Sequence, residues 1–227
     1  MAGIKSRAVN AEQKEQRRLD ILESARSLFI ATTDYASLVM KQIAENIGLT
    51  KGTLYLYFRT KEEVFLALYT QEFNRLFDSI DEQILQYIGN NSDDQERNNI
   101  EIFLKIMTQC VMPQQTFLRL NALLHTVLER NINSEPALEF KSMLRDRLND
   151  AGTKVEMVLP FLHQGQGTEL LFTTHELMIG CFHVALPTPC LEEILQQPDM
   201  AFMKLDFETE FTKAVKLVLL GYESLNS

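Results

Sequence analysis

Residues 44–61 read A-E-N-I-G-L-T-K-G-T-L-Y-L-Y-F-R-T-K, and this stretch predicts two short helices joined by a tight turn. Gly48 follows an apolar helical face and can adopt the left-handed conformation that ends a helix. Thr50 is a good N-cap for a second helix that begins at the next residue. Leu54 and Phe58 are four residues apart on that helix, so both face inward and leave its other faces open. The stretch therefore predicts a helix-turn-helix motif.

The residues on both sides of this stretch resemble the DNA-binding domain of the TetR/AcrR repressors, over about residues 17–65. Upstream, Arg17-Arg18, Ile21-Leu22, Ala25 and Leu28-Phe29 resemble the first helix of that domain. Downstream, Tyr55-x-Tyr57-Phe58-x-x-Lys61-Glu62-Glu63 resembles the signature that closes the domain and opens a long fourth helix. The resemblance implies an all-α fold, in which a three-helix helix-turn-helix domain precedes a larger helical domain for ligand binding and dimerisation.

The resemblance also implies which residues bind DNA. They are Thr50, Lys51, Gly52, Thr53, Tyr55, Tyr57 and Lys61. The three residues from Lys51 to Thr53 enter the major groove, whereas Tyr57 and Lys61 reach the phosphate backbone. For Tyr55, packing within the protein stays open beside a contact with DNA. Because one such unit offers few base contacts, we expect a symmetric dimer on a palindromic operator.

Two departures from the family pattern lie between the first and second helices. The family usually has a glycine after the first helix, but this chain reads Thr33-Asp34-Tyr35 and is one residue longer there. We expect Asp34 to take the turn, because Asp tolerates positive φ. Val39 stands where the family commonly has a threonine that caps the second helix and contacts a phosphate. That contact is not carried over, and Ser37 is the alternative cap.

The distribution of charge along the 227 residues suggests where the chain divides. Residues 1–61 hold ten Lys and Arg against six Asp and Glu, whereas residues 62–227 hold twelve against twenty-five. We therefore predict a DNA-binding domain over residues 1–61, with a basic, disordered arm over about the first 15 residues. Residues 62–227 form the ligand-binding and dimerisation domain. The acidic body restricts which face of the protein can approach DNA.

Composition also excludes several classes of protein. Three scattered cysteines do not form a disulfide scaffold, and the N-terminus lacks the apolar segment of a signal peptide, so we expect a cytoplasmic protein. No apolar run approaches the roughly 20 residues that span a bilayer. His175, Cys181, His183 and Cys190 match no common metal site, and no catalytic motif or cofactor-binding loop is present. We therefore predict no membrane segment, enzyme activity, cofactor or metal.

Apolar residues at helical spacing predict one long helix from Lys61 to about Gly89, followed by a loop over residues 90–94. Further stripes run over 100–111, 117–128 and from Ser134 to Pro160, and the next segment, 163–168, reads as a loop. Thr173 to Glu176 has the spacing of a capping box ahead of an apolar helix. A connector over 187–198 precedes a last stripe over 207–222.

Two further sets of residues are predicted from the family pattern. The ligand site is lined by Phe65, Tyr69, Phe103, Met107, His125, Met178 and Phe182, although a Phe- and Met-rich stripe is also typical of an ordinary core. The dimer interface contains Leu177, Gly180, Cys181, Val184, Phe211, Val215 and Val218. The alternative is that both C-terminal helices only fill the core of one subunit.

The sequence as a whole favours a dimeric transcriptional repressor that a small, hydrophobic molecule releases from a palindromic operator. An activator, or a regulator that a protein partner controls without a ligand, stays open as the alternative. A helical oligomer with no role in DNA binding is a further alternative, and it predicts no sequence-selective binding.

Overall fold

The computed structural model describes residues 2–32, 34–90 and 98–227, and in these residues it contains α-helices and no strand. The helices are α1 (Ala2–Ala31), α2 (Met40–Glu45), α3 (Lys51–Leu54), α4 (Lys61–Asn90), α5 (Asn99–Val111), α6 (Gln115–Leu123), α7 (Ser134–Val158), α8 (Gln166–Ala185), α9 (Pro189–Ile194) and α10 (Phe207–Asn226). Short 3₁₀ helices cover Tyr35–Ser37, Leu128–Asn131 and Ala201–Met203. The predicted all-α fold is confirmed.

The chain forms two compact units. Unit 1 comprises Met1–Glu72 and Leu123–Leu138, and unit 2 comprises Phe73–Ala122 and Glu139–Ser227. Helix α4 therefore begins in unit 1 and ends in unit 2. The charge distribution suggested a boundary at Lys61, whereas the first segment of unit 1 ends eleven residues later, at Glu72. A second segment, Leu123–Leu138, also belongs to unit 1.

Helix α1 is longer than the sequence predicted. It begins at Ala2, so the expectation of a disordered arm over about the first 15 residues is wrong for the described backbone. The segment over residues 11–18, A-E-Q-K-E-Q-R-R, consists of residues with high helix propensity, and this favours helix without any apolar stripe. Absence of an apolar face therefore did not imply absence of helix here.

The connection between α1 and α2 differs from both expectations. Asp34 has φ −101° and caps the 3₁₀ helix by accepting a hydrogen bond from the backbone N–H of Ala36 at 2.9 Å. Ser37 does not cap α2, because its hydroxyl donates to the carbonyl of Asp34. Val39 is the N-cap residue of α2, and its N–H donates to the side chain of Gln42 at 2.9 Å. Gln42 thus supplies one half of a capping box, whereas the valine side chain cannot supply the other half.

The central helices agree with the predicted stripes. Helices α4, α5 and α7 begin within one residue of their predicted starts, and α7 ends two residues before Pro160. The stripe over 117–128 is divided, because α6 ends at Leu123 and a 3₁₀ helix begins at Leu128. The predicted loop over 90–94 lies outside the described residues after Asn90, and the connector over 187–198 contains α9.

Helix α8 begins earlier than predicted. Its N-cap is Gly165, which has φ +90°, so the predicted capping box at Thr173 is wrong and residues 166–168 are helical. The backbone N–H groups of Gly165 and Gly167 donate to Oε1 of Glu156 on α7, at 2.8 and 3.0 Å. A carboxylate on another helix therefore stabilises this helix start, and local sequence spacing does not reveal such a contact.

Candidate nucleic-acid interface

The turn between α2 and α3 is set by backbone geometry. Gly48 has φ +66°, the left-handed conformation that the sequence predicted for it. The N–H of Leu49 donates to the carbonyl of Ala44 at 2.9 Å and closes the end of α2. This turn fixes where α3 starts relative to α2.

Thr50 caps α3 as predicted. Its hydroxyl oxygen accepts a hydrogen bond from the backbone N–H of Thr53 at 3.1 Å and lies 2.8 Å from the Thr53 hydroxyl. A cap of this kind stabilises a helix by about 1 kcal/mol, and a helix of one turn needs such support.

The inner face of α3 is anchored in the core of unit 1. Leu54 is fully buried and Phe58 is 2% exposed, as their four-residue spacing predicted. The guanidinium carbon of Arg18, on α1, lies 4.5 Å from the centre of the Phe58 ring. Because Leu54 and Phe58 point inward, the rest of the segment faces outward.

The predicted DNA-binding residues share this outward side. Thr50, Lys51, Gly52 and Tyr55 are exposed, whereas Thr53 and Tyr57 are partly exposed. The ammonium of Lys51 lies 5.6 Å from the centre of the Tyr55 ring, so Tyr55 stays at the surface beside a cation. A Cβ atom added at Gly52 would meet only the Thr50 hydroxyl, at 3.8 Å. The surface around Gly52 is therefore open to a close backbone approach.

Lys61 has a different environment from the other six residues. Its ammonium donates to the backbone carbonyl of Tyr35 at 3.0 Å and lies over the Tyr35 ring. Burial lowers the pKa of the Lys61 ammonium, against the opposing effect of Glu62 and Asp34. This contact joins the first residue of α4 to the connection between α1 and α2, and the sequence did not reveal it.

Three polar contacts hold α1 against the rest of unit 1. The Ser24 hydroxyl donates to the carbonyl of Ile43 at 2.9 Å and accepts a hydrogen bond from the Asn46 side chain. The guanidinium of Arg26 pairs with Glu72 on α4 at 2.9 Å, and the Glu72 side chain is only 2% exposed. Helices α2 and α4 are thereby both joined to α1.

The predicted ligand-lining residues fall into both units. Phe65, Tyr69 and His125 belong to unit 1, whereas Phe103, Met107, Met178 and Phe182 belong to unit 2. All are buried except His125, whose side chain is 51% exposed and whose Nδ1 lies 3.0 Å from Glu129. Burial raises the pKa of the Tyr69 phenol well above its ordinary value. The six buried residues supply apolar surface, whereas the exposed His125 does not belong to this buried surface.

Unit 2 contains a buried polar group that the sequence did not indicate. Asn121 is 1% exposed, and its Oδ1 lies 2.7 Å from Nε2 of His175. Thr174 is 2% exposed, and in the described part of the chain its hydroxyl has no hydrogen-bond partner. A buried hydroxyl without a partner is costly, so this position is a candidate for contact with a bound polar group.

The C-terminal helices expose apolar side chains, but not all of those predicted. Helix α10 packs against α8 and α5, and this packing buries Phe211 and Val215. Both side chains are thus unavailable to a second subunit, because the chain itself covers them. Of the predicted set, Gly180 and Val184 are exposed and Leu177, Cys181 and Val218 are partly exposed. Phe172, Leu217 and Leu220, which were not predicted, are also exposed.

In the part of the chain that the structure describes, no three His, Cys, Asp or Glu side chains are grouped so as to hold a metal ion. No described helix has the length and apolar character needed to cross a bilayer.

Two family models match the chain. Residues 21–68 match the bacterial regulatory proteins of the tetR family. Residues 70–226 match the tetracyclin repressor-like C-terminal domain. The first match begins within α1 and includes α2 and α3, and the two matches together cover α4 except for residue 69 and extend to the end of α10.

Individual proteins show the same likeness. A fatty acid metabolism regulator protein of Bacillus subtilis is 29% identical over 73 residues, which are 32% of this chain and 37% of that protein. An HTH-type transcriptional regulator of Bacillus subtilis is 37% identical over 57 residues, which are 25% of this chain and 27% of that protein. The matched regions therefore span about a third of those relatives' lengths.

Solved structures resemble the whole fold. The fatty acid degradation regulator FadR of Bacillus halodurans has a TM-score of 0.54 at 21% identity, over 90% of this chain and 94% of that one. A possible TetR family transcriptional regulator of Streptomyces coelicolor has a TM-score of 0.54 at 16% identity, over 92% and 99%. At these identities the likeness concerns the fold alone.

Proposed function

Because the chain belongs to the TetR family of transcriptional regulators, we propose that it is a dimeric repressor that binds a palindromic operator and is released by a small, hydrophobic ligand. The observation that carries the proposal is the outward side of α3, where exposed Thr50, Lys51 and Gly52 stand over buried Leu54 and Phe58. The regulators of the TetR family are DNA-binding transcription factors and not enzymes.

The DNA surface is divided between base recognition and phosphate contact. Lys51 and Thr53 lie at the start of α3 and reach base edges, while Gly52 permits the backbone to approach the groove. Tyr57 and Thr50 reach phosphates through their hydroxyl groups, and Tyr55 stays beside the Lys51 ammonium. Lys61 supports the surface from within unit 1, since Tyr35 holds its ammonium.

A second subunit supplies the second α3 that a palindromic operator requires. One α3 covers one half-site, and two copies read half-sites about one helical turn apart, roughly 34 Å. The exposed apolar residues of α8 and α10 support this assembly, with Phe172 and Val184 on one helix and Leu217 and Leu220 on the other. Gly180 has open space around it, which permits close approach of a partner helix.

The effector is a molecule with a long apolar body. The names of two relatives concern fatty acid metabolism and degradation, so acyl compounds are the first class to test. The buried Phe and Met side chains of α5 and α8 supply apolar surface, and Thr174 with the Asn121–His175 pair supplies polar contacts. Because binding free energies are reciprocal, bound operator must weaken the affinity for the effector.

The test has four steps on the full chain. Selection from random duplex DNA should recover a palindromic sequence, and sedimentation should show a dimer in solution. Thermal shift with acyl compounds of increasing chain length should identify a ligand, and adding it should release the selected duplex. Recovery of no preferred duplex contradicts DNA recognition, and a monomer that binds a single half-site contradicts the dimer.

A reporter separates repression from the alternatives. The selected operator is placed beside a promoter, and output is measured with and without the protein. Lower output with the protein supports repression, whereas higher output supports the activator. Lower output that no acyl compound relieves favours a regulator controlled by a protein partner.

A further inference from the structure

Leu56 has the most exposed large apolar side chain of unit 1 among residues 11–32, 34–72 and 123–138, whose burial the structure describes. Its exposed fraction is 78%, although it lies between two tyrosines of which Tyr55 is 42% exposed and Tyr57 is partly buried. An exposed leucine is ordinary on a protein surface, so exposure alone assigns no role. What distinguishes Leu56 is its place on the turn that continues α3.

The backbone after α3 stays helical enough to define faces. The N–H of Leu56 donates to the carbonyl of Thr53 at 3.2 Å, and that of Phe58 donates to Leu54 at 3.1 Å. Leu56 is thus about one turn beyond Gly52 and Thr53, and it is exposed as Gly52 is, whereas Leu54 and Phe58 are buried. Leu56 therefore lies on the outward side of this segment, together with the residues proposed to enter the groove.

We propose that Leu56 is a specificity-determining residue that recognises thymine through its C5-methyl group. In the major groove thymine is the one base that presents a methyl group, and an apolar side chain reads it by contact. Leucine has no group that hydrogen-bonds to phosphate or to a base edge. Gly52, one turn earlier, has no side chain that would keep the groove away from Leu56.

The inference rests on the proposed function, because it requires α3 to enter the groove. It adds a base preference that the polar residues of α3 do not supply. Lys51 donates hydrogen bonds to acceptors such as those of guanine, whereas Leu56 favours an A·T pair whose methyl group meets its side chain. The half-site should therefore combine a guanine contact with a neighbouring thymine.

The experiment removes only the methyl group. The duplex selected from random DNA by the wild-type protein is synthesised with thymidine and again with deoxyuridine at every thymidine position. Deoxyuridine keeps the pairing edge and lacks the C5-methyl group. Dissociation constants are measured for wild type, Leu56→Ala and Leu138→Ala on both duplexes. Leu138 is the matched control, since it is 70% exposed, lies in the same unit and is on α7.

We expect wild type and Leu138→Ala to bind the deoxyuridine duplex about fivefold or more weakly, the effect of losing one good apolar contact. Leu56→Ala should bind the thymidine duplex more weakly than wild type and lose no more than about twofold on deoxyuridine. Its melting temperature should be unchanged, because the side chain is exposed.

Two results overturn the inference while leaving the proposed function intact. One is that wild type binds both duplexes equally, and the other is that Leu56→Ala loses as much affinity on deoxyuridine as wild type does. Failure to select any preferred duplex overturns the proposed function and this inference together.

Discussion

The ammonium of Lys61 donates a hydrogen bond to the carbonyl oxygen of Tyr35 at 3.0 Å and lies 4.1 Å from the centre of the Tyr35 ring. The same ring packs edge-on against Phe65, with centroids 5.1 Å apart, and burial raises the pKa of its phenol above the ordinary range. One cation thus fixes the short turn that leads into α2 to the start of α4. We assign Lys61 a positioning role in DNA binding.

Replacing Lys61 by Met should lower stability and DNA affinity together. The substitution removes the hydrogen bond and the ring contact while keeping most of the apolar stem, and we expect a loss of about 1 kcal/mol in the free energy of unfolding. Affinity should fall on all sequences, and the slope of log K against log salt should stay as in wild type. Urea unfolding and titrations at several salt concentrations measure both quantities.

Lys51→Met is the matched control for this prediction. Lys51 is exposed on α3, so we expect unchanged stability, a salt slope reduced by about one, and a weaker preference for the selected duplex. If Lys61→Met instead keeps full stability and reduces the salt slope by about one, Lys61 is a phosphate ligand and not a positioning residue.

Replacing Arg26 by Met should destabilise unit 1 strongly. The change removes the guanidinium that pairs with the Glu72 carboxylate, which is 2% exposed, and losing one partner of a buried ion pair costs about 3 kcal/mol. Arg17→Met removes the exposed pair with Asp20 and should cost about 0.5 kcal/mol or less. Equal losses for the two variants in urea unfolding would contradict the importance of the buried pair.

Replacing Gly167 by Ala should disrupt the packing of α7 against α8. A Cβ atom at this position would lie 2.1 Å from the backbone oxygen of Gly152, and backbone cannot yield as a flexible side chain does. We expect a loss of about 3 kcal/mol, measured by urea unfolding. Gly89→Ala meets nothing within 4 Å and should be neutral or slightly stabilising, so a similar loss there would refute the steric explanation.

Replacing Thr174 by Val should stabilise the protein without effector. Valine has nearly the same shape and removes a buried hydroxyl that lacks a partner in the described structure, so we expect a gain of about 1 kcal/mol. Thr70→Val is the comparison, because that hydroxyl donates to the carbonyl of Leu66 and its removal should cost about 0.5 kcal/mol. If the hydroxyl contacts the effector, Thr174→Val should also weaken the thermal shift that the effector produces.

The stability contributed by the charge of Asp206 should decrease in acid. Its carboxylate caps α10, and hydrogen bonds from the hydroxyl and the backbone N–H of Thr209 lower its pKa. A carboxylate whose pKa is lower in the folded state stabilises the fold above its unfolded pKa, and the effect is lost as the pH falls through the folded value. The difference in unfolding free energy between wild type and Asp206→Ala should therefore be constant from about pH 7 to pH 5 and narrow towards about pH 3. A difference that is equally large in acid would contradict the role of the charge.

Local signals account for what the sequence predicted correctly. Gly48, Thr50, Leu54 and Phe58 act within one or two helical turns, so a cap, a left-handed glycine and a four-residue spacing were enough to place α3. The long stripe after Lys61 likewise defined α4. These features do not depend on what packs against them.

Features that depend on distant partners were missed. Tyr35 and Lys61 are 26 residues apart, and Glu156 accepts a hydrogen bond from Gly165, the N-cap residue of α8, nine residues later. The Thr173 motif looked like a helix start because the spacing of a capping box inside a helix is the same as at its beginning. Phe211 and Val215 were assigned to a dimer because an apolar stripe does not say which neighbour covers it.

Because Leu123–Leu138 belongs to unit 1, the order in which the ribosome makes the chain affects how this unit folds. A chain emerging from the ribosome exposes the whole of α3 long before the segment that completes its unit has been made, and the segment between them belongs to the other unit. Unit 1 therefore lacks part of its contacts until Leu138 has been made. Nascent chains stalled shortly after Glu72 should be more sensitive to protease than chains stalled after Leu138 has left the exit tunnel.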